Sequence, residues 1–101
     1  MKSILTKYTE NCIICGMPIE EIKNCHHLIF GRGMRNLADE DGLTLPMCPF
    51  CHDELHKKSS VAAELSRICG QLAFEKSLCE KGVSADNARE YFRKRYGKSY
   101  L

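Results

Sequence analysis

The sequence predicts a small α+β domain folded around bound metal, on three observations. Cysteines occur as two CxxC pairs, Cys12/Cys15 and Cys48/Cys51. A His26-His27 doublet lies between the pairs, and His52-x-x-x-His56 begins directly after the second. At 101 residues the chain is one domain with little room for an apolar core, a shortage that a metal cross-link commonly offsets. Bound zinc is expected to supply on the order of 10 kcal/mol of folding free energy, as in zinc-finger peptides.

Residues 1–11 form a short lead-in. Cys12-Ile13-Ile14-Cys15-Gly16 has the shape of a zinc knuckle, a tight turn whose glycine tolerates the positive φ that wraps backbone around an ion. Cys25 to Phe30 is β-branched and aromatic enough to predict a strand. Gly31-Arg32-Gly33-Met34-Arg35 then opens a loop of about a dozen residues that ends at Asp41-Gly42. Leu43-Thr44-Leu45 predicts a second strand, stopped by Pro46. Cys51 to Lys58 is the first helix, with Pro49 suited to its N-terminal turn, and Ser59-Ser60 interrupts it or caps the next element. From Val61 to about Lys81, the residues Val61, Leu65, Ile68, Leu72 and Leu78 lie near helical spacing. Gly82 marks a stop, and Gly70 marks a place for a bend. Ser84-Ala85-Asp86 opens a third helix that carries Tyr91, Phe92 and Tyr96 as packing groups and ends at Gly97. The expected order is a knuckle, hairpin and helix over residues 12–58, then two C-terminal helices over residues 59–101.

The gap of 32 residues between Cys15 and Cys48 suits a treble-clef arrangement. In it a knuckle supplies one sulfur pair and a helix N-terminus the other, where the helix dipole favours thiolates. Paired CxxC spacing predicts structural zinc in a reducing compartment rather than disulfides. Cys25, Cys69 and Cys79 are left over, and buried reduced thiols are expected for all three. Met1 to Lys7 lacks the sustained apolar run of a signal peptide, and nothing approaches the roughly 18 apolar residues of a membrane span. The expected location is therefore the cytoplasm.

His52 and His56, four residues apart, project from one helical face. His26 and His27 are adjacent on a strand, so their side chains leave on opposite faces. One of the two can complete a three-histidine metal site while its neighbour stays free on the substrate side. Phosphodiester hydrolysis needs those two things, a Lewis acid on the phosphate and a base for water. The formal charge of +2 does not by itself argue for a polyanion partner. Arg32 and Arg35, in the glycine-punctuated loop, suit phosphate oxygens. Lys57 and Lys58 extend the basic side of the metal helix. Arg89, Arg93, Lys94, Arg95 and Lys98, set against Glu90 alone, suit a nucleic-acid backbone.

The string from His26-His27-Leu28-Ile29 through Leu43-Thr44-Leu45-Pro46-Met47-Cys48-Pro49-Phe50-Cys51-His52-Asp53-Glu54-Leu55-His56 resembles HNH endonucleases of the ββα-metal, treble-clef kind. The zinc-stapled subtype with two CxxC pairs is the most similar, and small phage-encoded members are of similar size. The resemblance covers residues 12–58. It implies that His26, His52 and His56 hold a catalytic divalent ion (magnesium, manganese, zinc or nickel) and that His27 is the general base. It also implies a DNA substrate, with RNA left open, and for a phage-encoded chain the cytoplasm of a bacterial host. The family's middle asparagine, nine residues before the helical histidine, falls here on Leu43. Asp41, just upstream, is the residue expected to brace the loop, because Asn36 lies too early. A reading from a different class is a non-catalytic treble-clef zinc module that binds nucleic acid.

Overall fold

Among the described residues the order of elements is β1 (Cys25–His27), α1 (Met34–Asp41), β2 (Thr44–Pro46), α2 (Pro49–Lys58), α3 (Ser60–Glu80) and α4 (Ala85–Tyr96). The structure is a computed structural model that describes residues 1–20, 23–58 and 60–101. The break expected at Ser59 and the side chain of Lys58 lie outside the described residues. The protein is thus a small α+β domain, with a two-stranded sheet and four helices among the described residues.

β1 and β2 pair antiparallel, with Cys25 opposite Pro46, His26 opposite Leu45 and His27 opposite Thr44. The first strand is three residues shorter than the composition of 25–30 suggests. Leu28 keeps one hydrogen bond to the carbonyl of Leu43, at 3.0 Å. Beyond it Leu28 and Ile29 turn into the core, where both are buried. The second strand extends through Pro46, at a strand end where the missing N–H is tolerated. The Pro46 carbonyl accepts from Ile13 N at 2.8 Å, which ties the Cys12–Cys15 turn to the hairpin.

The dozen-residue loop expected after β1 is instead largely helix. α1 is bounded by Gly33 at φ 78° and Gly42 at φ 71°, both left-handed. Gly42 lets the chain reverse so that Leu43 N reaches the Ala38 carbonyl at 2.9 Å, the longer bond of a glycine C-terminal cap. Ala38 is fully buried, and Met34 and Leu37 pack on the core beside it. Those three positions have helical spacing, and burying them is what holds so polar a segment in helix.

The core gathers Leu28, Ile29, Ala38, Leu43, Phe92 and Tyr96, flanked by Leu5, Phe74 and Tyr100. Phe92 stacks on Tyr96 with ring centroids 4.6 Å apart, and Phe74 meets Phe92 edge-on at 5.5 Å. Tyr91 is exposed and takes no part in this packing. α4 starts at Ser84, whose hydroxyl accepts from Asn87 N at 3.2 Å, and stops at Gly97.

α3 runs unbroken through Gly70, so no bend occurs there. The glycine serves a close approach instead. A Cβ at Gly70 would lie 2.8 Å from Ile29 Cδ1 and 3.0 Å from Leu28 Cβ. Gly70→Ala should therefore lower stability. Overpacking of about 1–3 kcal/mol outweighs the gain of up to about 1 kcal/mol in helix propensity. Thermal melts of the two proteins check this, and a higher melting temperature in the variant would contradict it.

The apolar stripe of α3 does not face inward. Val61, Leu65 and Leu72 are 58%, 54% and 50% exposed, whereas Ser66, Gln71 and Glu75 are buried. The inward face sets Gly70, Ala73 and Phe74 against the core, and its buried polar residues close a hydrogen-bond network. Gln71 Nε2 donates to Glu75 Oε2 at 2.7 Å and to Ser99 Oγ at 2.9 Å, and Gln71 Oε1 accepts from Tyr100 N at 2.7 Å. The network pins the C-terminal residues across α3.

Candidate functional site

The first cluster is built by a turn and a helix start. Cys12 N donates to the Met17 carbonyl at 2.7 Å and Gly16 N to the Cys12 carbonyl at 2.9 Å, closing the turn around Gly16 at φ 79°. Asn11 Nδ2 braces it on the Gly16 carbonyl at 3.0 Å. On the other side Cys48 precedes α2 and Cys51 sits in its first turn, with Cys51 N donating to Cys48 Sγ at 3.4 Å. The four sulfurs of Cys12, Cys15, Cys48 and Cys51 all lie within 4.8 Å of one another, and Cys15 Sγ is 3.7 Å from Cys48 Sγ.

Four thiols so close cannot all ionise unaided. Burial opposes ionisation of Cys12, yet hydrogen bonds from the backbone at Cys15, Cys48 and Ile14 bring its thiol down to about 6. Burial, and then the neighbouring sulfurs, push Cys51 up to about 12. A soft divalent cation resolves the conflict by binding all four as thiolates, so the cluster can hold a metal such as zinc.

The second cluster follows from strand alternation. β1 points His26 inward, where it is buried, and His27 to the other face. α2 carries His52 and His56 one turn apart over His26. The ring centroids are 5.1 Å (His26–His52), 5.6 Å (His26–His56) and 4.6 Å (His52–His56) apart. One ligand nitrogen from each lies within 4.8 Å of the others. His52 Nε2 and His56 Nε2 share a hydrogen bond at 3.0 Å.

The protonation of His26 can be worked out from its neighbours. Its Nε2 is 2.8 Å from Ser66 Oγ, and that hydroxyl donates its single proton to the Leu28 carbonyl at 2.9 Å. Ser66 therefore accepts from His26, and Nε2 carries the proton. Nδ1 is left as a bare lone pair, buried and without a hydrogen-bond partner. Such an orphan costs roughly 1–3 kcal/mol. Beside two more imidazoles, an ion is the occupant that would satisfy it, with Ser66 orienting the ring from behind as an outer partner. The residues thus fit a divalent metal.

Burial, and then the charges of His52, His56 and His27, lower His26 to about 3. Burial also lowers His52, helped by His56, Arg35 and His27 against Asp53. Both are thus held in the neutral, ligating form. Folded His26 stays neutral down to about 3, while an unfolded imidazole takes up its proton near 6.5. Its contribution to stability is therefore complete above about pH 6.5 and is lost as pH falls towards 3. Between about pH 7 and about pH 5, the urea midpoint should fall further in wild type than in His26→Gln. Equal falls would contradict this.

On its own face, His27 Nε2 is 2.8 Å from Asp39 Oδ1, on α1. The carboxylate beside the doublet is therefore that of Asp39, and the bracing role expected of Asp41 is a different one. Asp41 Oδ2 accepts from Arg95 Nε and from the Tyr96 hydroxyl, each at 2.6 Å, so it anchors α1 to α4 and turns away from the histidines. Asn36 is exposed on α1.

A family described as Protein of unknown function (DUF968) matches residues 5–82, more than three quarters of the 101 residues. The chain belongs to the DUF968 family. The match takes in both CxxC pairs and all four histidines of this DUF968 chain, and it ends before α4. Comparison with curated proteins and with solved structures gave no match.

A cavity of about 260 Å³ opens beside His52 and His56 of the DUF968 chain, with Lys23, Asn24 and Met47 in its wall. A larger concavity of about 600 Å³, among Leu37, Phe74, Leu78 and Tyr91, has no histidine in its lining. Arg32 and Arg35 are exposed near the start of α1, and the charge of Arg35 is felt at His52. The basic run 89–98 is engaged internally to a large extent. Arg89 pairs with Glu75 at 3.3 Å, Arg93 with Glu90, and Arg95 with Glu40 at 2.7 Å and with Asp41. Lys98 lies over the Tyr100 ring, and Lys57 pairs with Asp53 at 2.8 Å. Arg89 and Arg95 therefore tie α4 to α3 and to α1, whereas Arg93 and Lys57 pair within their own helices at the surface. Cys69 and Cys79 are exposed and Cys25 is half-buried, so the expectation of three buried thiols does not hold. Among the described residues no helix is long and apolar enough to cross a membrane.

Proposed function

We propose that this DUF968 chain is a metal-dependent endonuclease of the HNH kind, a ββα-metal core on a treble-clef frame that hydrolyses phosphodiester bonds of DNA. One observation carries the reading. The two adjacent histidines of β1 serve different neighbourhoods: His26 meets His52 and His56 with an unpartnered buried nitrogen, and His27 meets Asp39.

In this reading His26, His52 and His56 hold a divalent ion. When bound, the ion supplies Lewis-acid stabilisation of the phosphate and leaving oxygen. His27 accepts a proton from the attacking water through whichever ring nitrogen Asp39 leaves bare. The new P–O bond forms to the water oxygen, the bond to the leaving oxygen breaks, and that oxygen takes a proton from solvent. Asp39 fixes the ring and offsets the charge that His27 gains. Arg35 and Arg32 are positioned at the start of α1 to take a phosphate oxygen. The four-cysteine cluster, as structural zinc, holds the knuckle against the start of α2 and so fixes His52.

The pairing of Arg89 and Arg95 with other elements weighs against a non-catalytic module that grips nucleic acid through its tail. Such a module also leaves the His26 nitrogen unexplained. Nicking of supercoiled plasmid with magnesium, manganese, zinc or nickel tests the proposal. Activity with at least one ion is expected, and inertness with all four would overturn it.

A further inference from the structure

The face of β1 turned away from the three-histidine cluster holds a second set of donors. Cys25 and His27 are two residues apart on the strand and so share that face. α1 packs across it and brings Asp39 over them. One ligand atom each from Cys25, His27 and Asp39 lies within 4.8 Å of the other two. Asp39 is exposed, so an ion can reach the set from solvent. The endonuclease reading uses His27 and Asp39 but gives Cys25 no task.

We propose that Cys25, His27 and Asp39 form an inhibitory zinc site. The consequence for activity rests on the endonuclease reading above; the binding does not. A thiolate, an imidazole and a carboxylate suit borderline-soft zinc, with the fourth tetrahedral position left to water. Magnesium, a hard ion that takes oxygen ligands, is not held by such a set. On binding, the Cys25 thiol loses its proton to solvent and the sulfur takes the ion. The two negative ligands balance the divalent charge, and no net charge is left in a half-buried position. Zinc on the nitrogen that faces Asp39 leaves the single ring proton on the other nitrogen, which can then no longer accept one from water. Excess zinc therefore switches off the base while the other two clusters stay loaded.

The test uses the whole chain with both other sites loaded and compares wild type with Cys25→Ser and Cys25→Ala. Zinc bound per chain is measured by equilibrium dialysis at excess zinc, and plasmid nicking supported by the ion already loaded in the three-histidine site is followed in the same samples. Wild type should bind about one zinc more per chain than either variant. Its nicking should fall about tenfold once free zinc reaches roughly ten times the dissociation constant, while the variants keep their rate. Equal zinc uptake in all three proteins overturns the proposal, and so does equal zinc inhibition. If none of the proteins nicks with any ion, the endonuclease reading fails on its own, and the difference in zinc uptake decides the site.

Discussion

Cys48→Ser should leave a chain without a cooperative thermal transition and with about one zinc per chain fewer than wild type. Cys48 is 5% exposed and sits where three parts of the molecule meet. Its sulfur lies 3.7 Å from Cys15 Sγ and accepts from Cys51 N, and its carbonyl accepts from His52 N at 2.9 Å at the start of α2. A serine oxygen is a poor ligand for an ion that prefers thiolate. Losing a structural zinc removes on the order of 10 kcal/mol, comparable with the 5–15 kcal/mol that hold a domain of this size. The apolar core around Ile29, Phe92 and Tyr96 is too small to make up the difference. Far-UV circular dichroism with heating is the check, and a variant melting within a few degrees of wild type would contradict the structural role.

His27→Ala should reduce nicking by about 10²–10⁴-fold, the range expected for removal of a general base. Zinc held by the four-cysteine cluster, metal at the three-histidine cluster, DNA binding and melting temperature should change little. The ring is 21% exposed and faces away from the three-histidine cluster, so its loss leaves the ligands of that cluster in place. Wild-type nicking in this variant would remove the base assignment and leave the metal cluster unaffected.

The pairs within both side-chain clusters were legible in the sequence because their spacing is local. A CxxC turn and an i, i+4 pair fix which atoms converge before any tertiary contact forms. The opposite facing of His26 and His27 follows likewise from strand alternation. α1 was less legible. Most of Met34-Arg35-Asn36-Leu37-Ala38-Asp39-Glu40-Asp41 is polar, and the available signal was the pair of flanking glycines with Met34, Leu37 and Ala38 at helical spacing. Reading that segment as loop obscured the choice of carboxylate. On a helix, residues two apart point about 200° apart, so Asp39 and Asp41 must face different neighbours, β1 and α4. The inward face of α3 was hidden for another reason. Its buried side is Ser66, Gly70, Gln71 and Glu75, and hydrophobic periodicity therefore reported the outer stripe. The partners of Arg89 and Arg95 could not be read locally either, since Glu75, Glu40 and Asp41 lie far from them in sequence.

The central claim is that one molecule keeps two ions with different duties, one held by sulfur for the fold and one held by nitrogen for the chemistry. The most direct measurement is plasmid nicking during stepwise chelation, with metal content and circular dichroism recorded at each step. The account predicts that nicking ends with the first ion removed, while the chain stays folded around the ion that remains. Nicking that survives until the last ion leaves, as the fold collapses, would contradict it.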